Sequence, residues 1–308
     1  MKKILLIALC VFALAGMVWA RGAQSGGGGT RISIITMDNV DEHWLKLRNG
    51  AEDKAKELGV TVTFDAGNKW DPALQLSILE DTITKKVDAI LLAPCDAAAL
   101  VPGIEKARAA GIPVVLVDSG ANTDYATLIG TDNGAAARLA ADELAKLING
   151  RGKIAIVNAQ AGAGTTMLRE NEFKAQIASK YPNITIVGTQ YSDGDTTRAL
   201  NIATDFMTAN PDLAGIYATN EGSTVGTGMA IEQAGKGGNV KLVGWDWTAN
   251  TLGLVQRGVL SASMVQNPYQ MGYLGVQSAV DLINKKSVQK NVDSGVIVAT
   301  KDNASTIK

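Results

Sequence analysis

The sequence predicts an α/β protein of two lobes, each a parallel sheet flanked by helices. Short apolar runs alternate with helical patterns from residue 31 onward, and the alternation restarts at Lys153. The two series also contain matching segments. Residues 87–118 read strand, polar loop, helix, Ala110-Gly111, strand, Asp118, while residues 213–246 read strand, Asn220-Glu221, helix, Ala234-Gly235, strand, Asp246. These copies put Asp118 and Asp246 at equivalent carboxyl ends of strands, where parallel sheets hold their ligands. Facing lobes place both carboxylates across one cleft.

In order along the chain, residues 31–37 form the first strand. Residues 41–58 carry Leu45, Leu47, Ala51, Ala55 and Leu58 at mainly helical spacing, ended by Gly59. A strand at 60–64, a helix at 72–86, a strand at 89–93, a helix at 97–110 and a strand at 113–117 continue the pattern. The second series starts with Lys153-Ile-Ala-Ile-Val-Asn and runs through a helix at 165–180, a strand at 184–188, a helix at 196–209 and a strand at 213–218. The apolar run 240–243 reads as a strand buried on both faces, and such a strand ends in Asp246 only where the carboxylate is satisfied. A further run, 262–265, ends in Gln266 and Asn267, and Pro268 stops it before a helical pattern begins.

The N-terminus has a different character. Met1-Lys2-Lys3 is a positive start, residues 4–18 are apolar, and Val18-Trp19-Ala20 suits a signal peptidase, so an export signal cut near Ala20 is expected. The apolar run is short for a bilayer span. Lipidation needs a cysteine just after that run, and Cys10 lies inside it after Leu9. Residues 21–30, with Ser25-Gly-Gly-Gly-Gly, read as a flexible linker rather than a phosphate loop, because no Gly-Lys-Ser/Thr follows.

A chain of 308 residues, 46% hydrophobic and 19% charged, has ample core for two lobes. Formal net charge is -1; losing Lys2 and Lys3 with the leader leaves 27 of the 29 basic residues against 30 acidic ones, or -3. The basic residues are dispersed, which speaks against nucleic acid as a partner. Cleavage leaves Cys95 as the single cysteine, so no internal disulfide forms. One thiol and one histidine, His43, make no Cys/His metal cluster, and no cofactor is called for. Gly162-Ala-Gly-Thr-Thr lacks the third glycine of a dinucleotide loop and reads as a tight loop placing Arg169. A Ser/His/acid arrangement and a Gly-x-Ser-x-Gly elbow are both missing, so catalysis is not expected.

Residues 38–59, Val87-Asp-Ala-Ile, Ala110-Gly-Ile-Pro-Val-Val, Ile129-Gly-Thr-Asp-Asn, Gly244-Trp-Asp and Val265-Gln-Asn-Pro-Tyr-Gln-Met-Gly-Tyr, in that order and spacing, resemble the periplasmic sugar-binding proteins of ABC importers, ribose-binding type. The likeness spans roughly residues 31–303. It implies two Rossmann-like lobes joined by a three-segment hinge near Thr131, Gln266 and Asp293, closing on the ligand like jaws. The implied lobes are 31–131 with 267–293, and 132–266 with 294–308. By position the resemblance implicates Asp41, His43 and Trp44 in the first loop, then Asp118, Arg169, Asn220, Asp246 and Gln266. Those residue types suit a polyol: carboxylates accept from hydroxyls, Arg donates, and amides do both.

The chain departs from ribose binders at His43 and Trp44, which replace two phenylalanines, at Ser119, which replaces an arginine, and at Gly194, which stands where an aromatic belongs. Those changes point toward a hexose or another polyol, with Trp44 and Trp247 stacking from new directions. Trp70, Trp245 and Tyr191 read as packing. Each polar site residue also has a plainer role open to it: Asp118, Asp246 and Asn220 as caps, Arg169 as a surface ion-pair partner. The resemblance implies an exported, non-catalytic monomer delivering a small sugar or polyol to ABC permease subunits. A sensory receptor of the same fold, presenting the sugar to a chemoreceptor or histidine kinase, is the alternative. A lac-repressor-like regulator needs an N-terminal helix-turn-helix, and the chain begins with a signal and glycines instead.

Overall fold

The structure is a computed structural model that describes residues 29–307. The expected leader, its cleavage point at Ala20 and all but the end of the glycine linker lie outside the described residues.

β1 (Arg31–Ile35), α1 (Glu42–Leu58), β2 (Thr61–Asp65), α2 (Pro72–Thr84), β3 (Ala89–Leu92), α3 (Val101–Ala109) and β4 (Val114–Val117) form the first alternation. Gly59 ends α1 with a left-handed φ of 66°, and Asp71 starts α2 by accepting the N–H groups of Ala73 and Leu74 ahead of which Pro72 fixes φ. α3 starts later than its apolar spacing suggests. Asp96 accepts the N–H groups of Ala98 and Ala99, which holds that stretch as a turn.

β5 (Leu128–Gly130) and α4 (Asn133–Leu147) come next, followed by β6 (Gly152–Asn158), α5 (Gly164–Lys180), β7 (Ile184–Tyr191), α6 (Thr196–Ala209) and β8 (Leu213–Ala218). The chain closes with α7 (Glu221–Gln233), β9 (Lys241–Trp245), α8 (Ala249–Gln256), β10 (Leu260–Gln266), α9 (Pro268–Ile283), β11 (Asn291–Asp293) and β12 (Val296–Ala299).

Two sheets result. The first is ordered β2-β1-β3-β4-β5-β11 and the second β7-β6-β8-β9-β10-β12. Their sequence-order patterns match, so β4 and β9 hold the same place in their sheets. Among the described residues every strand pairing is parallel except that of β12, which runs antiparallel to β10. Central strands such as Ile90, Leu91 and Leu92 in one sheet and Leu242 and Val243 in the other are fully buried, as helices on both faces require.

The chain passes between the sheets three times: from β5 to α4, from β10 to α9, and from β11 to β12. Although it follows a second-sheet strand, α9 packs on α1 of the first lobe. Glycines set that contact. A Cβ on Gly50 would stand 2.0 Å from the Tyr269 carbonyl oxygen, and one on Gly272 would stand 1.9 Å from that of Leu47. This fold places the carboxyl ends of β1, β4, β6, β8 and β9 around one cleft.

Candidate functional site

Asp118 and Asp246 follow β4 and β9 directly, with φ of 63° and 73°. Few residue types besides glycine tolerate this left-handed backbone, and aspartate is one of them. Both side chains are buried, and His43 stands between them. Its Nε2 lies 3.0 Å from Asp118 Oδ1 and its Nδ1 3.4 Å from Asp246 Oδ1. Neither contact has hydrogen-bond alignment, so these are ion pairs. Burial pushes the imidazole pKa down, but the two carboxylates outweigh it and raise it to about 10. At neutral pH a buried imidazolium therefore joins the two lobes.

Arg169 sits in the second turn of α5, which already begins at Gly164 inside the stretch read as a loop, and it is buried rather than a surface ion-pair partner. Its Nε donates to Asn133 Oδ1 at 2.7 Å, Nη1 to the Thr219 carbonyl at 2.8 Å, and Nη2 to Gln266 Oε1 at 2.7 Å. The guanidinium lies 3.5 Å from the ring centroid of Trp245, whose Nε1 donates to Tyr217 Oη. Gln266 passes the network on, donating from Nε2 to Asp246 Oδ1 at 2.8 Å. Burial raises the Asp246 carboxyl, yet His43, Arg169 and Gln266 together hold it below its ordinary pKa.

Asn220 divides its amide. Oδ1 caps α7 by accepting the Ser223 N–H at 3.1 Å, while Nδ2 is buried and has no hydrogen-bond partner among the described residues. Asn220 lines the cleft, so the capping role and a donor for a ligand coexist. Glu221, the first residue of α7, also lines it and accepts the His43 backbone N–H at 3.3 Å. Burial first, and Asp246 second, push the Glu221 carboxyl up to about 7. Asp41 precedes α1 without capping it, and burial with Asp38, Glu221 and Asp246 nearby raises its pKa well above normal.

One cavity thus gathers Asp41, His43, Trp44, Asp118, Arg169 and Asn220, together with Asp246 and Gln266. The free space among them is about 20 Å³, room for a water molecule and not for a sugar. Trp247 is placed elsewhere: its ring packs in the second-lobe core, and only its carbonyl faces the first lobe, accepting from Lys46 Nζ. Trp70 differs too. Read as packing, it is 8% exposed and does pack, yet its ring lines the cavity. Met37, Thr165, Thr166 and Glu221 also line the cavity and were not among the expected site residues. An acid opening a helix reads as a dipole partner, which hides Glu221.

The lobes are closed on each other. Besides His43, the first turn of α1 reaches the second lobe through Glu42, which accepts the Ala249 N–H, and through Lys46. On the hinge side, Ala97 donates its N–H to the Gly162 carbonyl. A larger groove of about 510 Å³ lies there, sharing only Asp118 and Thr165 with the cavity. The carboxylates nearest the hinge are already used: Asp132 caps α4, and Asp293 accepts the N–H groups of Asp132 and Gly295.

The family model for the periplasmic binding protein domain matches residues 32–287. The chain belongs to that family. Among its relatives, a ribose import binding protein of Bacillus subtilis is 30% identical over 287 residues, covering 92% of this chain and 91% of that one. The D-allose-binding periplasmic protein of Escherichia coli is 32% identical, covering 84% and 86%. Of solved structures, a carbohydrate transporter solute-binding protein of Agrobacterium radiobacter in complex with D-arabinose superposes with a TM-score of 0.87 at 35% identity, covering 90% and 96%. An ABC transporter solute-binding protein of Agrobacterium vitis with bound D-fucose gives 0.84 at 38% identity, covering 89% and 96%.

For this periplasmic binding protein the comparisons agree with the sheet architecture and with the resemblance to ribose-binding relatives. Cys95, outside the cleft lining, is buried, and burial and then Asp96 push its thiol up to about 12. Among the described residues no helix is long and apolar enough to cross a membrane.

Proposed function

We propose that this protein is an exported receptor that encloses a small sugar or polyol between its lobes and hands it to an ABC permease without altering it. The observation that carries this reading is the pair of buried aspartates at corresponding strand ends, Asp118 and Asp246, facing one cavity with Arg169, Asn220 and Gln266 around it. Such a ring of acceptors, donors and amides matches hydroxyl groups that both donate and accept. Selectivity follows because the wrong epimer leaves a buried group unpaired, at roughly 1–3 kcal/mol each. The relatives' sugars support the class.

Asp41, His43 and Trp44 complete the ligand-contacting set from the first lobe. We assign the lobes as 31–131 with 267–293 and 132–266 with 294–308, in keeping with the three passages of chain between the sheets. The mature protein, cut near Ala20, works in the periplasm as a monomer.

The test is a thermal-shift screen of the chain from Thr30, followed by calorimetry, against D-arabinose, D-ribose, D-allose, D-fucose, their alditols, nucleosides and amino acids. A ligand at 100 times its dissociation constant stabilises by about 2.7 kcal/mol. A rise with one sugar and not its epimer is expected. Silence across sugars with a hit among amino acids overturns the polyol assignment.

A further inference from the structure

Two indoles share one carboxylate beside the cavity. Asp38, 4% exposed, follows β1, and its Oδ1 accepts the N–H groups of Val40 at 2.7 Å and Asp41 at 2.9 Å. Its Oδ2 accepts Nε1–H from Trp70 at 2.6 Å and from Trp44 at 3.2 Å. Trp44 comes from the first turn of α1 and Trp70 from the loop before α2, so one carboxylate fixes rings from two separate elements. Both rings line the cavity.

Trp70 also meets the opposite lobe. Gly194, between β7 and α6 with φ of 73°, lies against it: a Cβ there would stand 3.0 Å from Trp70 Cδ1 and Nε1. Any larger side chain at 194 would push the indole out of its place. The absence of a side chain on one lobe and the ring on the other are complementary surfaces that touch because the cleft is closed.

On the sugar-receptor reading above, we propose that Trp70 is a specificity-determining wall of the site, that Asp38 is the positioning residue holding Trp70 and Trp44 as a two-indole clamp, and that the clamp selects a ring-closed aldose over its open-chain alditol. An aldose ring presents a flat patch of C–H bonds that an indole face covers. An alditol carries a comparable set of hydroxyls but no fixed flat patch, and it loses more conformational freedom on binding. Hydroxyl matching by Asp118, Asp246 and Arg169 alone does not separate the two; rigid apolar walls do.

Calorimetry with the best-bound aldose of the panel and its alditol tests this. Trp70→Ala is expected to weaken the aldose by roughly tenfold, the upper end of an aromatic contact, and to narrow the aldose-to-alditol ratio. Trp70→Phe, which keeps a ring but not the N–H, gives an intermediate loss. Asp38→Asn keeps a carbonyl for Val40 and Asp41 and turns an NH₂ toward both indole N–H groups. It is expected to change the near-ultraviolet dichroism of the tryptophans and to lower the ratio while melting stays cooperative.

Wild-type affinity in Trp70→Ala overturns the proposal, as does an Asp38→Asn protein that loses both ligands equally with unchanged dichroism. If Trp70→Ala does not fold, Trp70→Phe and Asp38→Asn decide by the same criteria. A wild-type protein that binds no sugar at all sinks the receptor reading itself, and the clamp with it, which is a different outcome from a sugar bound without help from Trp70.

Discussion

Asp118 and Asp246 end corresponding strands with the same left-handed backbone, and a single imidazole, that of His43, stands between their carboxylates. On the receptor reading proposed above, the side chain of His43 stands where a ligand's polar groups would go. Ligand entry then requires the imidazole to give way.

Asp246→Asn keeps a residue tolerant of left-handed backbone and removes the charge. It is expected to fold cooperatively and to lose sugar affinity by about ten- to a hundredfold, the worth of a charged hydrogen bond. Asp246→Ala is expected to lose affinity similarly and to cost about 1 kcal/mol more in denaturant unfolding than the asparagine, because alanine resists the 73° φ. Unchanged calorimetric affinity in either removes Asp246 from the site.

Stability should fall as pH rises, in two separable limbs. The folded pKa of His43 is raised to about 10, so its ion pairs contribute fully below the unfolded value near 6.5 and are lost as pH climbs through 10. Glu221 is raised to about 7, so the folded chain binds more protons than the unfolded one between roughly 4.5 and 7, and stability declines across that window as well. Urea midpoints measured against pH check this. His43→Gln should flatten the upper limb and Glu221→Gln the lower one; a flat wild-type profile contradicts both.

Lys46 spans the cleft to the Trp247 carbonyl beside the Glu42–Ala249 contact. Lys46→Ala is expected to shift the free protein toward open forms, seen as a larger radius of gyration by X-ray scattering. Ligand affinity should drop roughly two- to tenfold, the worth of one hydrogen bond. An unchanged radius and affinity would mean that Lys46 does not hold the lobes together.

Gly50→Ala and Gly272→Ala each drive a methyl into a backbone carbonyl of the facing helix. Each should destabilise by about 1–3 kcal/mol, read from denaturant midpoints, with α1 and α9 forced apart. Since α1 carries His43 and Trp44, Gly272→Ala is also expected to weaken binding from the far side of the lobe.

The alternation of apolar strands with helical patterns made the two lobes readable, because strands buried on both faces leave nearly continuous apolar runs. What escaped has weak contrast. β11 and β12 are three and four residues long, and α4 is built on alanines that fit many patterns. Asp118 and Asp246 were readable as strand ends from the internal copies and Gln266 as the end of an apolar run, while Asp41, His43, Trp44, Arg169 and Asn220 came through resemblance at matched positions. Trp70 was not, since a tryptophan in a loop carries no sign of the glycine it rests on 124 positions later, between Asp193 and Asp195. Trp247 was misplaced by a pattern that cannot fix side-chain direction beyond a strand's last residue.

The three passages between the sheets also set the order in which the molecule is completed. The first lobe's sheet gains its last strand, β11, only when residues 291–293 exist, and α1 has no α9 to pack on before residue 268. Nearly the whole polypeptide must therefore be synthesised before either lobe can close its core. A ribosome-bound chain of this protein stays unfinished, with its apolar strands available to a chaperone, almost until release.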